Sequence, residues 1–179
     1  MFEYRLDDTH SLRPADLADA EALAHAVAAN REHLLPWLPD HVLATPQAWL
    51  AERAAEMARG AGFAATVWRG GELAGVIWTS KLDVAHRKAQ VHFWLVRDAC
   101  GRGIMTRSLA AVLEHLFAQR GLHRATVRAP AGHPRVRPLL ERLGFVHEGV
   151  IRESVWRDGT PCDDDLFGLL AREFRRPLP

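Results

Sequence analysis

The chain has 179 residues, 48% apolar and 25% charged, with a formal net charge of +1. This balance suits one packed domain over residues 1–179, excludes bulk disorder, and removes any global attraction to nucleic acid or an anionic membrane. Two cysteines are too few for a disulfide scaffold, the polar start MFEYRLDDTHSLRPAD has no signal core, and no apolar run reaches the roughly 20 residues of a transmembrane helix; the expected location is the cytoplasm.

In chain order, Glu3–Asn30 begins as a strand and is predicted to turn helical near Pro14, a residue favoured in a first helical turn. Leu17, Ala20, Leu23, Ala24 and Val27 give that helix its apolar stripe. HLLPWLPDH (His33–His41) is too rich in proline for regular structure and reads as a packed loop around Trp37. Thr45 is the expected N-cap of a second helix that opens at Pro46 and runs through Trp49, Leu50 and Met57. Between Gly62 and Val84, two β-rich runs flank Arg69-Gly70-Gly71-Glu72, the pattern of a tight hairpin.

KAQVHFWLV (Lys88–Val96) is the next strand. Its alternation puts Gln90, His92, Trp94 and Val96 on one face and Val91, Phe93 and Leu95 on the other. The turn CGRGIM follows, then a helix whose stripe is Met105, Leu109, Val112, Leu113, Leu116 and Phe117. A strand over His123–Ala129 precedes the proline-interrupted PAGHPRVRPLLERLGF. Two last strands, FVHEGVIRESVW and DLFGLLAREF, are joined by RDGTPCDD. The order β-α-α-β-β-β-α-β-α-β-β predicts an α/β fold, a layered domain with a central mixed, mostly antiparallel sheet flanked by helices.

Gly101 and Gly103 stand between a strand and a helix, an arrangement that receives anions on backbone N–H groups and the helix dipole. Taken alone, the two glycines read as a plain strand-to-helix turn. Arginines gather between Arg97 and Arg142, which suits a small polyanion, and no Gly-Lys-Ser or Gly-Lys-Thr follows the glycines to make a P-loop. The run Asp163–Asp165 lacks partner ligands at useful spacing and reads as solvated. The histidines contain no pair spaced as in HxxxH, so no metal is expected.

Five stretches in this order resemble the GNAT acetyltransferase superfamily, in its RimJ/RimL branch, whose founding members acetylate ribosomal-protein N-termini. They are NREHLLPWLPD, KLDVAHRKAQVHFWLV, GRGIMTRSLAAVLEHLF, LLERLGFVHEGVIRE and DGTPCDDDLFGLL. The resemblance implies the acyl-CoA N-acyltransferase fold and acetyl-CoA as co-substrate. Its pyrophosphate would lie on the backbone of Gly101, Arg102, Gly103, Ile104, Met105 and Thr106, and its pantetheine arm along Trp94, Leu95 and Val96. Where the branch carries an asparagine for the coenzyme arm and, three residues on, a serine proposed as the acid, this chain has His133 and Val136. The tyrosine that serves as acid elsewhere in the superfamily would fall on Leu140. Pro138 predicts that the helix there starts late or bends.

The branch has glycine where His92 stands, and an imidazole with pKa near 6.5 suits proton abstraction from an amine. His92 is therefore either the general base or a hydrogen-bonded core residue. Glu148 and Glu153, on a strand near the expected acceptor cleft, are either partners for the amine or part of a solvated face. Trp37, Trp78 and Trp156 are either part of the cleft wall or core residues. Cys100 adjoins the turn and could have a lowered thiol pKa, but direct transfer needs no enzyme nucleophile, and it reads as structural.

The reaction implied is direct acetyl transfer to a primary amine. An α-amino group with pKa near 8 is about one-tenth neutral at pH 7, a deficit of roughly 1.4 kcal/mol; a lysine amine is down by about 4.6 kcal/mol. A site without its usual acid therefore favours a protein or peptide N-terminus over lysine, with a small amine as the alternative. His133, Val136 and Leu140 also leave open a non-catalytic acyl-CoA-binding module, and an exposed sheet edge leaves open a homodimer.

Overall fold

The strand expected near the start is a small hairpin, β1 (Tyr4–Arg5) with β2 (His10–Pro14), because Asp7 turns the chain between them. The Asp7 carboxylate accepts from the N–H groups of Thr9 and His10, at 2.9 and 2.8 Å. Pro14 closes β2 and does not open the helix. That role falls to Asp16, whose side chain accepts from the Ala18 N–H while the Asp19 carboxylate takes the Asp16 N–H. A 3-10 turn at Leu17–Asp19 leads into α1 (Ala20–Ala29).

The computed structural model describes residues 2–38, 44–157 and 159–176. Within His33–His41, expected as irregular, the short α2 (Arg31–Leu34) forms ahead of Pro36; residues 39–43 lie outside the described residues. Helix α3 (Pro46–Ala58) opens with its proline in the first turn, where a missing N–H costs nothing. Thr45 holds the N-cap position without a side-chain capping bond.

The hairpin of β3 (Ala64–Arg69) and β4 (Glu72–Asp83) turns on Gly70 and Gly71, whose φ angles of +55° and +90° only glycine adopts freely. Next come β5 (Lys88–Leu95) and α4 (Ile104–Glu114), which a π-helical turn at His115–Gln119 extends. The crossover returns in β6 (Arg124–Pro130), which pairs parallel with β5. Helix α5 (Val136–Arg142) carries Pro138 as its third residue, inside the first turn, so the helix forms without a break there.

Strands β7 (Val146–Arg157) and β8 (Thr160–Leu170) complete the sheet. The turn expected at Arg157–Asp164 is shorter, since β8 already begins at Thr160. Beyond Leu170 the chain folds into a 3-10 turn at Ala171–Glu173 instead of continuing as strand. Among the described residues the sheet has eight strands in the order β1-β2-β3-β4-β5-β6-β8-β7, antiparallel except at β5–β6. Helices flank it, and its core includes Leu12, Ile77, Leu109, Leu113, Leu140 and Phe167, all essentially inaccessible.

Candidate active site

The one parallel pairing is short. Lys88, Ala89 and Gln90 pair with Arg124, Ala125 and Thr126, and there the ladder stops although both strands continue. Each strand stays with its other neighbour: β5 follows β4 up to Gly75–Leu95, and β6 follows β8 up to Pro130–Asp164. The sheet therefore splits into a wedge. The Val96 N–H donates to the Ala74 carbonyl at 2.9 Å, in the register that pairs Gly75 with Leu95. It follows that Gln90, His92 and Trp94 bond to β4, whereas the backbone groups of Val91, Phe93 and Leu95 turn towards the departed β6. Free strand-edge N–H and C=O groups in such a gap suit an amide-bearing arm laid beside them. The wedge is part of a cavity of about 1710 Å³. That exceeds the roughly 300–1,000 Å³ of a single small-ligand pocket and leaves space for two reactants.

At the mouth of the wedge a 3-10 turn (Arg97–Ala99) leads to Gly101 and Gly103, at φ +78° and +73°. Gly103 is the N-cap of α4, so no cap side chain covers the helix end. The first helical N–H with an acceptor is that of Arg107, bonded to the Gly103 carbonyl at 3.1 Å. The N–H groups of Ile104, Met105 and Thr106 remain for an external anion, with the helix dipole behind them. Arg107 supports the turn from below, donating to Asp7 at 2.9 Å and to the Arg102 carbonyl at 3.4 Å. Gly101, Gly103, Ile104, Met105 and Thr106 line the cavity; the Arg102 side chain is exposed beside it.

His92 lines the cavity from β5, its ring lying on Trp78 with centroids 4.9 Å apart and planes 14° apart. Its Nε2 is 2.7 Å from Ser80 Oγ. Burial first, then the positive charges of Lys81, Arg53 and Arg128, push its pKa down to about 4, well below the value of a free imidazole. It is uncharged at neutral pH. Trp94 and Leu95 also line the cavity, but the free backbone belongs to Phe93 and Leu95, and Val96 is engaged with β4. Phe93 was not singled out in the sequence; the alternation of backbone direction along the strand is the signal that finds it.

His133 lines the cavity opposite Trp37, ring centroids 4.1 Å apart, and its Nδ1 accepts from the Arg135 N–H. Val136 is at the lining, whereas Leu140 is buried in the core. Cys100 lies 3.8 Å from His33 Nε2 and 3.4 Å from the Val96 carbonyl. The three tryptophans that were candidates for either the cleft wall or the core, Trp37, Trp78 and Trp156, all line the cavity, Trp78 while also buried in the core.

The two glutamates are not brought to it. Glu148 grips Arg124 through two hydrogen bonds of 2.8 and 2.5 Å, and that partner holds its pKa below the usual carboxylate range. Glu153 sits at a bulge in β7 between Ile151 and Val155, with φ +49° and its N–H bound to Asp163. Neither lines the cavity. The carboxylates that do are Glu52, paired with Arg53, and Asp164, which is 5% exposed and accepts from Ser154 Oγ at 2.9 Å, with Arg157 at 3.5 Å. The run Asp163–Asp165 is thus not a solvated patch: Asp163 caps the bulge, Asp164 enters the cavity, and Asp165 binds His147 and the Gly132 N–H. The bulge swings Ser154, Val155, Trp156 and Arg157 over the cavity.

A sheet opened between two parallel strands, with uncapped helix N–H groups at the mouth, defines the acyl-CoA-dependent acyltransferase class of fold. The chain belongs to the GNAT acetyltransferase family, whose acetyltransferase (GNAT) domain matches residues 11–146. Over 179 aligned residues it is 27% identical to YdaF of Bacillus subtilis (strain 168), provisionally named a ribosomal N-acetyltransferase, covering 97% of this chain and 98% of that one. Mycobacterium smegmatis RimJ, solved in complex with CoA-disulfide, superposes with a TM-score of 0.82 at 27% identity, covering 92% and 83% of the two chains. The ribosomal-protein-S5-alanine acetyltransferase of Vibrio fischeri superposes at 0.88 with 22% identity over 97% and 98%, a likeness of fold. The protein is an acetyltransferase related to the RimJ/RimL enzymes.

Proposed function

We propose that the protein transfers an acetyl group from acetyl-CoA to the α-amino group of a protein or peptide by direct attack. The observation that carries this reading is the wedge between β5 and β6, open beside the uncapped N-terminus of α4. The diphosphate of acetyl-CoA binds the N–H groups at Gly101–Thr106, and its arm runs down the free edge of β5 at Phe93 and Leu95. The neutral amine attacks the thioester carbon, a C–N bond forms, and the carbonyl oxygen becomes an oxyanion that the Phe93 N–H faces. The C–S bond then breaks and CoA leaves as a thiolate. Val136 and Leu140 hold no acidic hydroxyl, so the proton released by the amine passes to solvent or to the thiolate. His92, neutral and anchored to Ser80, accepts a hydrogen bond from the attacking amine and aligns it; with a pKa of about 4 it does not store the proton.

Incubating the protein with acetyl-CoA and a pool of short peptides tests this reading. Free thiol should accumulate in step with peptides acetylated at the α-nitrogen. A rise in Tm with CoA but no thiol release from any acceptor would identify a binding module of the same fold. Acetylation restricted to small amines would move the acceptor to the alternative class.

A further inference from the structure

Arginines outnumber carboxylates around the cavity: Arg97 and Arg135 act on His33, which neighbours Cys100 at the mouth, whereas Arg53 and Arg128 act on His92 and Arg157 stands at Asp164. The mouth has a diphosphate to explain its charge. The inner cations have no such reason. Arg128 lies on β6 two residues past Thr126, the last residue paired with β5, and Thr126 pairs with Gln90. Extending that register places Arg128 across the gap from His92, on the face that Thr126 and Gln90 share. His92 is three residues before the end of β5 at Leu95, about 10 Å along the strand at about 3.3 Å per residue, and the phosphate turn lies beyond that end, past the 3-10 turn at Arg97–Ala99. A diphosphate held on α4 therefore does not reach Arg128.

Lys81 also acts on His92 but does not line the cavity, and the two other inner arginines that do line it have partners. Arg53, reaching in from α3, is 11% exposed and held by Glu52 and Glu56 at 2.9 and 3.1 Å. Arg157 has Asp164 at 3.5 Å. Arg128 is exposed and makes no side-chain hydrogen bond or ion pair among the described residues. It is a free guanidinium in a cavity wall, beside the place where the acceptor amine must stand.

Resting on the acetyltransferase reading above, we propose that the acceptor is a peptide with an acidic side chain within its first three residues, and that Arg128 selects it by binding that carboxylate. A guanidinium fork is matched to a carboxylate in geometry as well as charge. Asp164 and Glu52 would favour the opposite choice, a lysine-bearing peptide, but only weakly, because each already faces an arginine. The same cations that surround His92 also disfavour an ammonium there, so a positively charged acceptor loses its proton more easily on entry. An acidic side chain offsets their repulsion of the incoming chain.

The test compares two peptides with the same N-terminal serine, carrying either two glutamates or two glutamines at their second and third positions. The wild-type protein should acetylate the acidic peptide with a kcat/KM about tenfold higher, a preference that shrinks as salt rises. In Arg128→Gln the ratio should fall towards one, and in Arg128→Glu a third peptide with two lysines should become the best of the three. The Tm rise with CoA, measured on each variant, reports that the fold and the mouth are intact. A wild-type ratio near one, or a tenfold ratio that survives Arg128→Gln, overturns the proposal while leaving the acetyltransferase reading standing. Failure to acetylate any of the peptides, with acetyl-CoA bound and small amines turned over, overturns both the peptide acceptor and this selection.

Discussion

His92 shows how an environment rewrites a residue's chemistry. A histidine on a strand facing a cleft suggests a base that titrates near pH 6.5, but burial first, and then the surrounding cations, push it down to about 4. His92→Ala should lower kcat/KM by about 10²-fold through loss of alignment. Between pH 6 and 9 the wild-type and variant profiles should run parallel, both rising with the fraction of neutral acceptor amine. An inflection near 6.5 present in the wild type and missing from the variant would show that the imidazole does carry the proton. Asp164 is the complementary case, a carboxylate that the fold delivers where Glu148 and Glu153 were expected. Removing its charge in Asp164→Asn should raise KM for the acceptor several-fold, since Ser154 and Arg157 lose the anchor that holds them at the cavity; an unchanged KM would place it outside the acceptor site.

At the scale of elements, the Gly101–Gly103 turn and the start of α4 act together. Gly103 has φ +73°, and a Cβ there would come within 2.9 Å of Arg107 Nη1. Gly103→Val therefore carries backbone strain of about 1–2 kcal/mol and pushes on the side chain that holds the turn to Asp7. The N–H groups of Ile104–Thr106 would lose their common aim. The variant should still fold and should lose the Tm rise that CoA produces in the wild type; native CoA affinity in the variant would refute the anion turn. Helix α5 carries the opposite lesson. Pro138 falls in its first turn and does no harm, because those N–H groups have no partner inside the helix.

For the molecule as a whole, protonation couples to folding through several histidines at once. His33, His92, His115 and His133 all have pKa values lowered, chiefly by burial. Below about pH 6.5 the unfolded chain takes up protons at these sites that the folded chain refuses, so stability falls as pH falls through that window. Glu148 and Asp83, lowered by hydrogen bonding to Arg124 and to His86, withdraw their contribution only at more acidic pH, near the ordinary carboxylate range and below. The Tm should accordingly decrease steadily from pH 7.5 to pH 5. A Tm that is flat or rises over that interval would mean that the buried imidazoles are solvated in the folded state.

The sequence by itself determined the elements and the anion turn: period and turn residues mark the β3–β4 hairpin, the apolar stripe of α4 and the glycines before it, since each signal is confined to neighbours along the chain. The early chain was legible only in part. Pro14 resembles a helix start, yet Asp16 caps the helix because Asp19 returns to its N–H, a bond that depends on how the turn closes. Which backbone groups of β5 are free, which aspartate of Asp163–Asp165 enters the cavity, and why Glu148 stays out were decided by tertiary structure alone. They depend on where the β5–β6 ladder stops, on a bulge in β7 and on the reach of Arg124, all set by strands distant in sequence. A residue's type sets the chemistry it can do, but pairing between remote strands sets the partner it does it with.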